Sequence, residues 1–242
     1  MTEFKDIYAK EIHTRLLQEM RTGTYAKDAH LPRESELAQT LGISRTQLRD
    51  ILAVLECEGF ITRRHGVGTI INRHVLAVPA RMDMELEFLD MIYACGHRPG
   101  ISQVEADRVA ATAEEAEKLQ LPEGTELLQM RKVYTADKHP AIYFVDVFQA
   151  SLLKEECTQK DYQAAVFQIL QDKCAVNCYM DVSRIKPVVA DSFLAEKLQV
   201  AEGTPLLYVQ ELDYDIEGKP VFYSRQYFVS DYFEHYILRK RL

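Results

Sequence analysis

A short polar stretch of the sequence combines side chains that proteins use to hold nucleic acids. Ser44, Arg45, Thr46, Gln47 and Arg49 bring hydroxyl, guanidinium and amide groups together within six positions. Guanidinium and amide groups can hydrogen-bond to base edges, and hydroxyl groups can bind phosphate oxygens. The residue types in this stretch therefore predict contact with DNA, provided that a rigid element presents them on one side.

Two short amphipathic helices joined through a glycine are predicted to carry this stretch. Pro32 suits the start of the first helix, Gly42 ends that helix, and Gly59 ends the second. Ser44 is a good N-cap, and Gln47 three residues later completes a capping box. The apolar residues at helical spacing are Leu37, Ala38 and Leu41 in the first helix and Leu48, Ile51, Leu52 and Leu55 in the second. This pattern predicts a helix-turn-helix.

A β-hairpin is predicted directly after the second helix, with strands at 60–64 and 69–71. Such a hairpin is a wing, and its Arg63, Arg64 and His65 add basic and hydrogen-bonding groups beside the second helix. No acidic residue occurs from position 37 to 49 or from 59 to 72. Contact with the DNA polyanion requires this local absence of negative charge. The sequence therefore predicts a DNA-binding winged helix-turn-helix.

The second half of the chain contains an internal repeat. The run from Ala116 to Leu128 recurs from Ala195 to Leu207, with ten of thirteen residues identical. Each copy continues as strand, tight turn and strand, and the second turn contains Gly218. Two copies of a helix and a hairpin predict one pseudo-symmetric antiparallel sheet with helices packed on it, which is an α+β arrangement.

Polar-tipped residues on the predicted strands are candidates for binding a small molecule. Because side chains alternate along a strand, Tyr223, Arg225 and Tyr227 share one face of the sheet. An arginine between tyrosines is equally compatible with a solvated cross-strand ladder, and Asp146 beside Arg225 with a structural salt bridge. The ligand-binding candidates from this alternation are Tyr143, Asp146, Tyr179, Arg184, Tyr223, Arg225 and Tyr227.

Residues 4 to 73 resemble the winged helix-turn-helix of the GntR family of bacterial transcription regulators. The matching pieces are Leu31-Pro32-x-Glu34-x-Glu36-Leu37-Ala38, Leu41-Gly42-Ile43-Ser44-Arg45-Thr46, Leu48-Arg49, Leu55-Glu56-x-Glu58-Gly59 and Gly66-x-Gly68-Thr69. The resemblance implies DNA contacts by Ser44, Arg45, Thr46, Arg49, His65 and Gly66. The family usually has arginine where this chain has Ser35 and a small residue where it has Arg33. We therefore add both positions as candidates. Arg33 would replace the phosphate contact that the family's arginine makes.

Residues 85 to 240 resemble the effector-binding UTRA domain of the HutC branch of this family, whose fold is similar to chorismate lyase. The resemblance rests on the repeated Leu-x-x-x-x-Gly-Thr-x-Leu-Leu turn and on the Gly218-x-Pro220 hairpin. Sugar-phosphate sensors of this branch use an Arg-x-Arg on the first hairpin strand and a glutamate on the return strand. Arg131 matches the first arginine and is a further ligand candidate, whereas Val133 and Phe144 depart from the pattern.

The composition limits the remaining possibilities. The net charge is −8, yet residues 1–75 hold 11 Lys and Arg against 10 Asp and Glu, so the acidic balance belongs to the rest of the chain. The five cysteines lack zinc-ligand spacing, and no stretch approaches the ~20 apolar residues that span a bilayer. We expect a cytoplasmic protein without metal or cofactor. No nucleophile triad or phosphate-binding loop is visible, so we expect no catalytic residues.

Together these observations predict a homodimeric, ligand-responsive transcription regulator, most simply a repressor. The predicted organisation is a DNA-binding domain at 1–73, a linker at 74–84 and an effector-binding and dimerisation domain at 85–242. Its partners would be double-stranded operator DNA and a small effector, namely a sugar phosphate, an amino acid or an organic acid. The alternative is a small-molecule-binding or lyase-like α+β protein whose helix-turn-helix mediates protein contacts.

Overall fold

The chain forms two structural units in the computed structural model, which describes residues 2–84 and 86–240. The first unit combines Met1–Glu85 with His235–Leu242, and the second comprises Leu86–Glu234. The end of the chain, which the sequence assigns to the second domain, thus packs with the first unit. No helix in the described part of the chain is long and apolar enough to cross a membrane.

Three helices and a β-hairpin form the core of the first unit. The elements are α1 (Thr2–Arg21), α2 (Glu34–Leu41), α3 (Arg45–Cys57), β1 (Ile61–Arg64) and β2 (Gly68–Ile71). The two strands pair antiparallel as a hairpin beside α3. The helices pack through one apolar cluster that includes Ile12, Leu16, Met20, Leu37, Leu41, Leu48, Leu52 and Leu55. The predicted winged helix-turn-helix is therefore confirmed.

The turn between α2 and α3 follows from its sequence. Gly42 has φ 69°, a left-handed conformation that glycine adopts without the steric cost of a Cβ, and it ends α2. Ser44 then caps α3 with its side chain. Leu48 and Leu52 are buried and fix the inner face of α3, so the polar side chains between them point outward.

The predicted linker at 74–84 packs on the first unit. A short helix, α4 (Arg73–Leu76), follows the wing, and its Val75 and Leu76 join the apolar cluster of the unit. Ala80 is also buried. These apolar side chains carry no amphipathic period, which is why the sequence gives no sign of their packing.

A six-stranded antiparallel sheet forms the centre of the second unit, with the order β3-β4-β5-β8-β7-β6. The strands are β3 (Pro99–Ala110), β4 (Glu126–Ala136), β5 (His139–Gln149), β6 (Met180–Val189), β7 (Pro205–Tyr214) and β8 (Pro220–Val229). The two copies of the repeat meet at β5 and β8, so the sheet is pseudo-symmetric about this central pair. The predicted antiparallel sheet and α+β class are confirmed.

The repeated helices lie on one face of the sheet, and two other helices lie on the opposite face. The repeated pair, α6 (Ala113–Leu119) and α8 (Ser192–Leu198), packs on an apolar cluster that includes residues of β5 and β8. We call this side the α6/α8 face. The opposite face carries α5 (Phe88–Ala94) and α7 (Val166–Ile169), which a π-helical turn at Leu170–Cys174 continues.

The two edge strands of the sheet are β3 and β6. Pro99 and Gly100, at the start of β3, pair with Ala136 and Thr135 of β4. Tyr179 directly precedes β6, which begins at Met180.

Candidate nucleic-acid interface and ligand site

A capping box forms the N-terminus of α3, and this end of the helix faces solvent. The Gln47 backbone N–H donates to Ser44 Oγ at 3.2 Å, and Gln47 Oε1 accepts from the Ser44 backbone N–H at 3.0 Å. Arg45 and Thr46, which complete the first turn, are exposed. A capped helix start with free N–H groups and a positive dipole end favours phosphate. The four side chains thus form one exposed polar surface.

Arg49 extends this surface one turn further along α3. Its Nε lies 2.8 Å from Glu34 Oε2 at the start of α2, and its side chain remains 59% exposed. Ion pairs this exposed contribute at most about 1 kcal/mol, so a phosphate or a base can displace Glu34. The ion pair keeps the Arg49 side chain between the two helices. Arg33 and Ser35, which flank Glu34 in the sequence at the beginning of α2, are also exposed.

The wing presents a second group of candidates. Arg64, His65 and Gly66 are exposed at its turn, and the left-handed φ of 78° at Gly66 suits a residue without a Cβ. A groove of about 660 Å³ runs between the wing and the start of α2, with Arg33, Arg64 and His65 among its lining residues. The structure therefore brings the wing and α2 candidates to one groove.

Arg63 has a structural partner within the same groove. Its backbone N–H and its Nε each donate to a Glu56 carboxylate oxygen at 2.7 Å. Burial opposes ionisation of Glu56, but these hydrogen bonds outweigh it and lower the pKa of its carboxyl group. Arg63 thus ties the wing to α3, a role that the sequence does not reveal because Glu56 and Arg63 lie on different elements.

On the second unit, three of the predicted ligand-binding arginines fall in one cross-strand row. Arg184 pairs with Gln210, Gln210 with Arg225, Arg225 with Val145, and Val145 with Arg131. Residues opposite each other in antiparallel strands share a face, so the three arginines lie on the α6/α8 face. The other candidates on this face are Tyr143, Tyr223 and Tyr227.

Carboxylates already surround two of these arginines. Arg131 forms ion pairs with Asp107 and, at 3.2 Å, with Glu105, and Arg225 lies 2.7 Å from Glu115 of α6. Each of the two arginines also buries an Nε atom without a partner among the described residues. Arg131 and Arg225 are therefore largely neutralised, yet each retains one unused donor.

Asp146 lies on the other face from Arg225, so the alternative of a structural salt bridge between these two residues is wrong. The side chain of Arg225 binds Glu115, whereas Asp146 is nearly fully buried beside Ser224 and Lys132. The reason is strand alternation, since Asp146 directly faces Met130 and Ser224 rather than the arginine row. Tyr179 and Arg184 are exposed at edge strand β6.

Asp146 belongs to a cluster of polar side chains in the middle of the sheet, all buried except the half-buried Glu211. The cluster, which we call the central polar cluster, consists of Lys132, Asp146, Glu211, Ser224 and Gln226 on four adjacent strands. Lys132 is 0% exposed, and its Nζ donates to the Ala164 carbonyl. The Gln226 amide donates to Glu211 Oε2 and, at 3.3 Å, to Ser224 Oγ.

The ionisable members of the central polar cluster have shifted pKa values. Burial raises the pKa of Asp146 to about 6, although a hydrogen bond with Ser224 and the nearby Lys132 oppose the rise. Burial and the neighbouring Asp181 raise the pKa of Glu211 to about 7, and burial lowers the pKa of Lys132. Buried groups with pKa values shifted in this way concentrate at functional sites.

Aromatic rings enclose the Lys132 side of the cluster. Phe88 of α5 contacts Tyr134, Phe144 and Phe228 with ring centroids 5.2–6.1 Å apart. Lys132 Nζ lies 5.4 Å from the centroid of the Phe144 ring. Lys132 is not among the candidates predicted from the sequence, because on β4 only Arg131 matches the motif of the family. A lysine next to Arg131 and an aspartate inside the apolar run of β5 were the signals available.

Comparisons with known proteins agree with this architecture. Residues 8–71 match the family model "Bacterial regulatory proteins, gntR family", and residues 94–234 match the UTRA domain model. The "Probable fructoselysine utilization operon transcriptional repressor" of Escherichia coli (strain K12) is 26% identical over 215 residues, covering 88% of this chain and 86% of that protein. The HTH-type transcriptional repressor NagR of Bacillus subtilis (strain 168) is 22% identical, covering 95% and 94%.

Solved structures show the same fold. The transcriptional regulator YydK of Bacillus subtilis superposes with a TM-score of 0.76 at 15% identity, covering 96% of this chain and 99% of that chain. PhnF of Mycobacterium smegmatis superposes with a TM-score of 0.61 at 21% identity, covering 96% and 98%. Both matches cover the two units, so each unit has a fold that is known from solved structures.

Proposed function

The chain belongs to the GntR family of transcription regulators with a UTRA domain, and we propose that it is a repressor. A small molecule bound at the central polar cluster would release the repressor from its operator. The regulator class comes from the two family matches. The repressor assignment draws on the names of its relatives. The position of the effector site rests on one observation, namely buried ionisable side chains concentrated on the central strands of the second unit.

For DNA binding, we propose a homodimer in the cytoplasm that inserts α3 of each subunit into the major groove. Ser44, Arg45, Thr46, Gln47 and Arg49 would contact bases and phosphates from the start of that helix. Arg33, Ser35, Arg64, His65 and Gly66 would contact the flanking backbone, and Arg63 would hold the wing in position. A two-fold dimer would read a pseudo-palindromic operator.

For the effector, we propose a polar metabolite that carries both an acidic group and hydrogen-bond donors. Lys132 can bind a carboxylate or a phosphate oxygen, and Asp146 and Glu211 can accept hydrogen bonds from hydroxyl or amino groups. A sugar phosphate and an amino acid both meet this description, whereas a simple organic acid lacks the donors. Such a ligand shifts the protein between two geometries only if it binds them with different affinities.

The α6/α8 face is the second candidate for the effector site. Its arginine row and the unused Nε atoms of Arg131 and Arg225 favour it, and an acidic ligand could compete with Glu115 and Asp107 for those arginines. Tyr143, Tyr223 and Tyr227 would line the same face.

Adjacent positions on β4 distinguish the two faces. We would screen the purified chain by thermal shift against sugar phosphates, amino acids and organic acids, where a ligand at 100 times its Kd stabilises by roughly 2.7 kcal/mol. Any stabilising compound would then be tested on Lys132→Met and on the matched control Arg131→Met. We expect Lys132→Met to lose the stabilisation while still binding DNA, and Arg131→Met to keep it. The reverse result would move the site to the α6/α8 face, and a compound that stabilises without releasing DNA would contradict the repressor mechanism.

A further inference from the structure

The last residues of the chain form a brace on the C-terminal end of α3, together with the segment that follows the wing. The brace consists of residues 80–83 and 235–240, both within the first unit. Tyr236 N–H donates to the Ala80 carbonyl at 3.1 Å, and Met82 N–H donates to the Tyr236 carbonyl at 2.8 Å. The two segments therefore run side by side as a short parallel pair.

Arg81 connects the brace to the end of α3. The residue is 7% exposed, its Nη1 donates to the Glu58 carbonyl at 2.6 Å, and its guanidinium lies 5.3 Å from the Phe60 ring centroid. Its other side is held by Asp83, which also accepts a hydrogen bond from the Leu238 backbone N–H at 3.1 Å. Burial opposes ionisation of Asp83, but these contacts lower the pKa of its carboxyl group, so the pair stays charged.

Lys240 and Leu238 make the contacts of the tail itself. Lys240 Nζ donates to the Glu56 carbonyl and, at 2.7 Å, to the Cys57 carbonyl. Leu238 packs on the core of the first unit and covers Gly59, where an added Cβ would lie 2.3 Å from Leu238 Cδ2. Gly59 thus serves two purposes, because its φ of +84° also requires a residue that tolerates the left-handed region.

These contacts add two cations to the C-terminal end of α3, where its own last turn has none. The final carbonyls of a helix have no partner within the helix and form its negative dipole end. The last turn of α3 contains no basic residue, yet the carbonyls of Glu56, Cys57 and Glu58 receive two cations from elsewhere in the chain. Neither family match reaches the brace, since one ends at residue 71 and the other spans 94–234.

We propose that the C-terminal tail is a positioning element of the recognition helix, with Lys240 and Leu238 as its positioning residues. The tail fixes the end of α3 opposite to the DNA-facing turn, and so sets the direction in which that turn enters the groove. The two segments of the brace adjoin the two places where the chain passes between the units, before residue 86 and after residue 234. The inference rests on the proposed use of α3 as the recognition helix.

The experiment compares neighbouring residues of the tail in the full-length chain. A DNA duplex is first selected by the unaltered protein from a random 30-base-pair library, and failure to select any duplex would contradict the proposed function itself. Affinities for that duplex and for an unselected duplex are then measured for Lys240→Met, Lys240→Arg and Arg239→Met. Arg239 is exposed, and the Arg239→Met substitution removes the same charge from the adjacent position.

We expect Lys240→Met to weaken binding to the selected duplex by about fivefold, a size consistent with a cation at a helix C-terminus. Binding to the unselected duplex should be unchanged, Lys240→Arg should restore the affinity, and Arg239→Met should bind as the unaltered chain does. An equal loss for Lys240→Met and Arg239→Met, or an equal loss on both duplexes, would show a general charge effect and overturn the proposal. Unchanged binding of Lys240→Met would overturn it as well.

Discussion

Glu211 shows how one side chain can make the stability of the second unit depend on pH. Its pKa rises from 4.5 to about 7, chiefly because of burial and then because of Asp181. Between these two values the folded protein holds a proton that the unfolded chain has released. The free energy of unfolding therefore falls as the pH rises from about 4.5 to about 7, and the loss is complete above the folded pKa.

Glu211→Gln should remove this pH dependence, because glutamine mimics the protonated carboxyl group at every pH. We expect the Tm of the unaltered chain to fall relative to that of Glu211→Gln as the pH is raised from 5 towards 8. Glu217→Gln is the matched control, since Glu217 is exposed in the β7–β8 turn. Parallel Tm curves for all three proteins would mean that Glu211 is not desolvated as its contacts indicate.

Single-residue roles on the sheet could be predicted only in part. The alternation of Tyr223, Arg225 and Tyr227 places them on one face, as expected. The sequence does not show which face collects buried charge, because Arg131 and Lys132 are adjacent and chemically similar. Only the packing of the helices decides that Lys132 becomes fully buried while Arg131 meets Glu105 and Asp107.

At the level of elements, the chain contains two equivalent capping boxes with different consequences. Ser44 and Gln47 cap α3 in the first unit, and Thr112 and Glu115 cap α6 in the second. Replacing either hydroxyl residue by alanine leaves a backbone N–H at the helix start without its acceptor. The expected cost is about 1 kcal/mol of unfolding free energy in each case.

Ser44→Ala should also weaken DNA binding, because the cap orders the turn that carries Arg45 and Thr46. Thr112→Ala should leave DNA affinity unchanged despite a similar loss of stability. Denaturant titrations and DNA-binding measurements on both variants would check this pair. If Thr112→Ala weakened DNA binding as much as Ser44→Ala, the effect would come from global destabilisation rather than from the recognition helix.

The elements with strong local signals are the ones that the sequence predicts well. Capping boxes, glycine stops and helical spacing define α2 and α3, and the repeat defines the doubled sheet. The brace has no such signal. Leu238 N–H and its acceptor Asp83 lie 155 positions apart, and the apolar residues of 74–84 follow no period. Contacts between distant irregular segments therefore appear only in the folded structure.

At the scale of the whole molecule, two properties matter more than any single contact, namely the distribution of charge along the chain and the covalent connection between the two units. The chain carries a net charge of −8, so the proposed binding of DNA depends on the local charge of the α3 and wing surface. The two segments of the brace adjoin the points where the chain leaves the first unit and returns to it.

The proposed dimer makes a geometric prediction about the operator. Two recognition helices related by a two-fold axis require half-sites about 34–36 Å apart, or one turn of the duplex. Inserting five base pairs between the half-sites rotates one of them by about half a turn, so we expect the affinity to fall at least about tenfold. Inserting ten base pairs restores the rotation and should recover binding in part. Affinities that do not depend on the insertion would mean that each subunit binds alone, and sedimentation analysis of the same complexes would show one chain per half-site instead of a dimer across both.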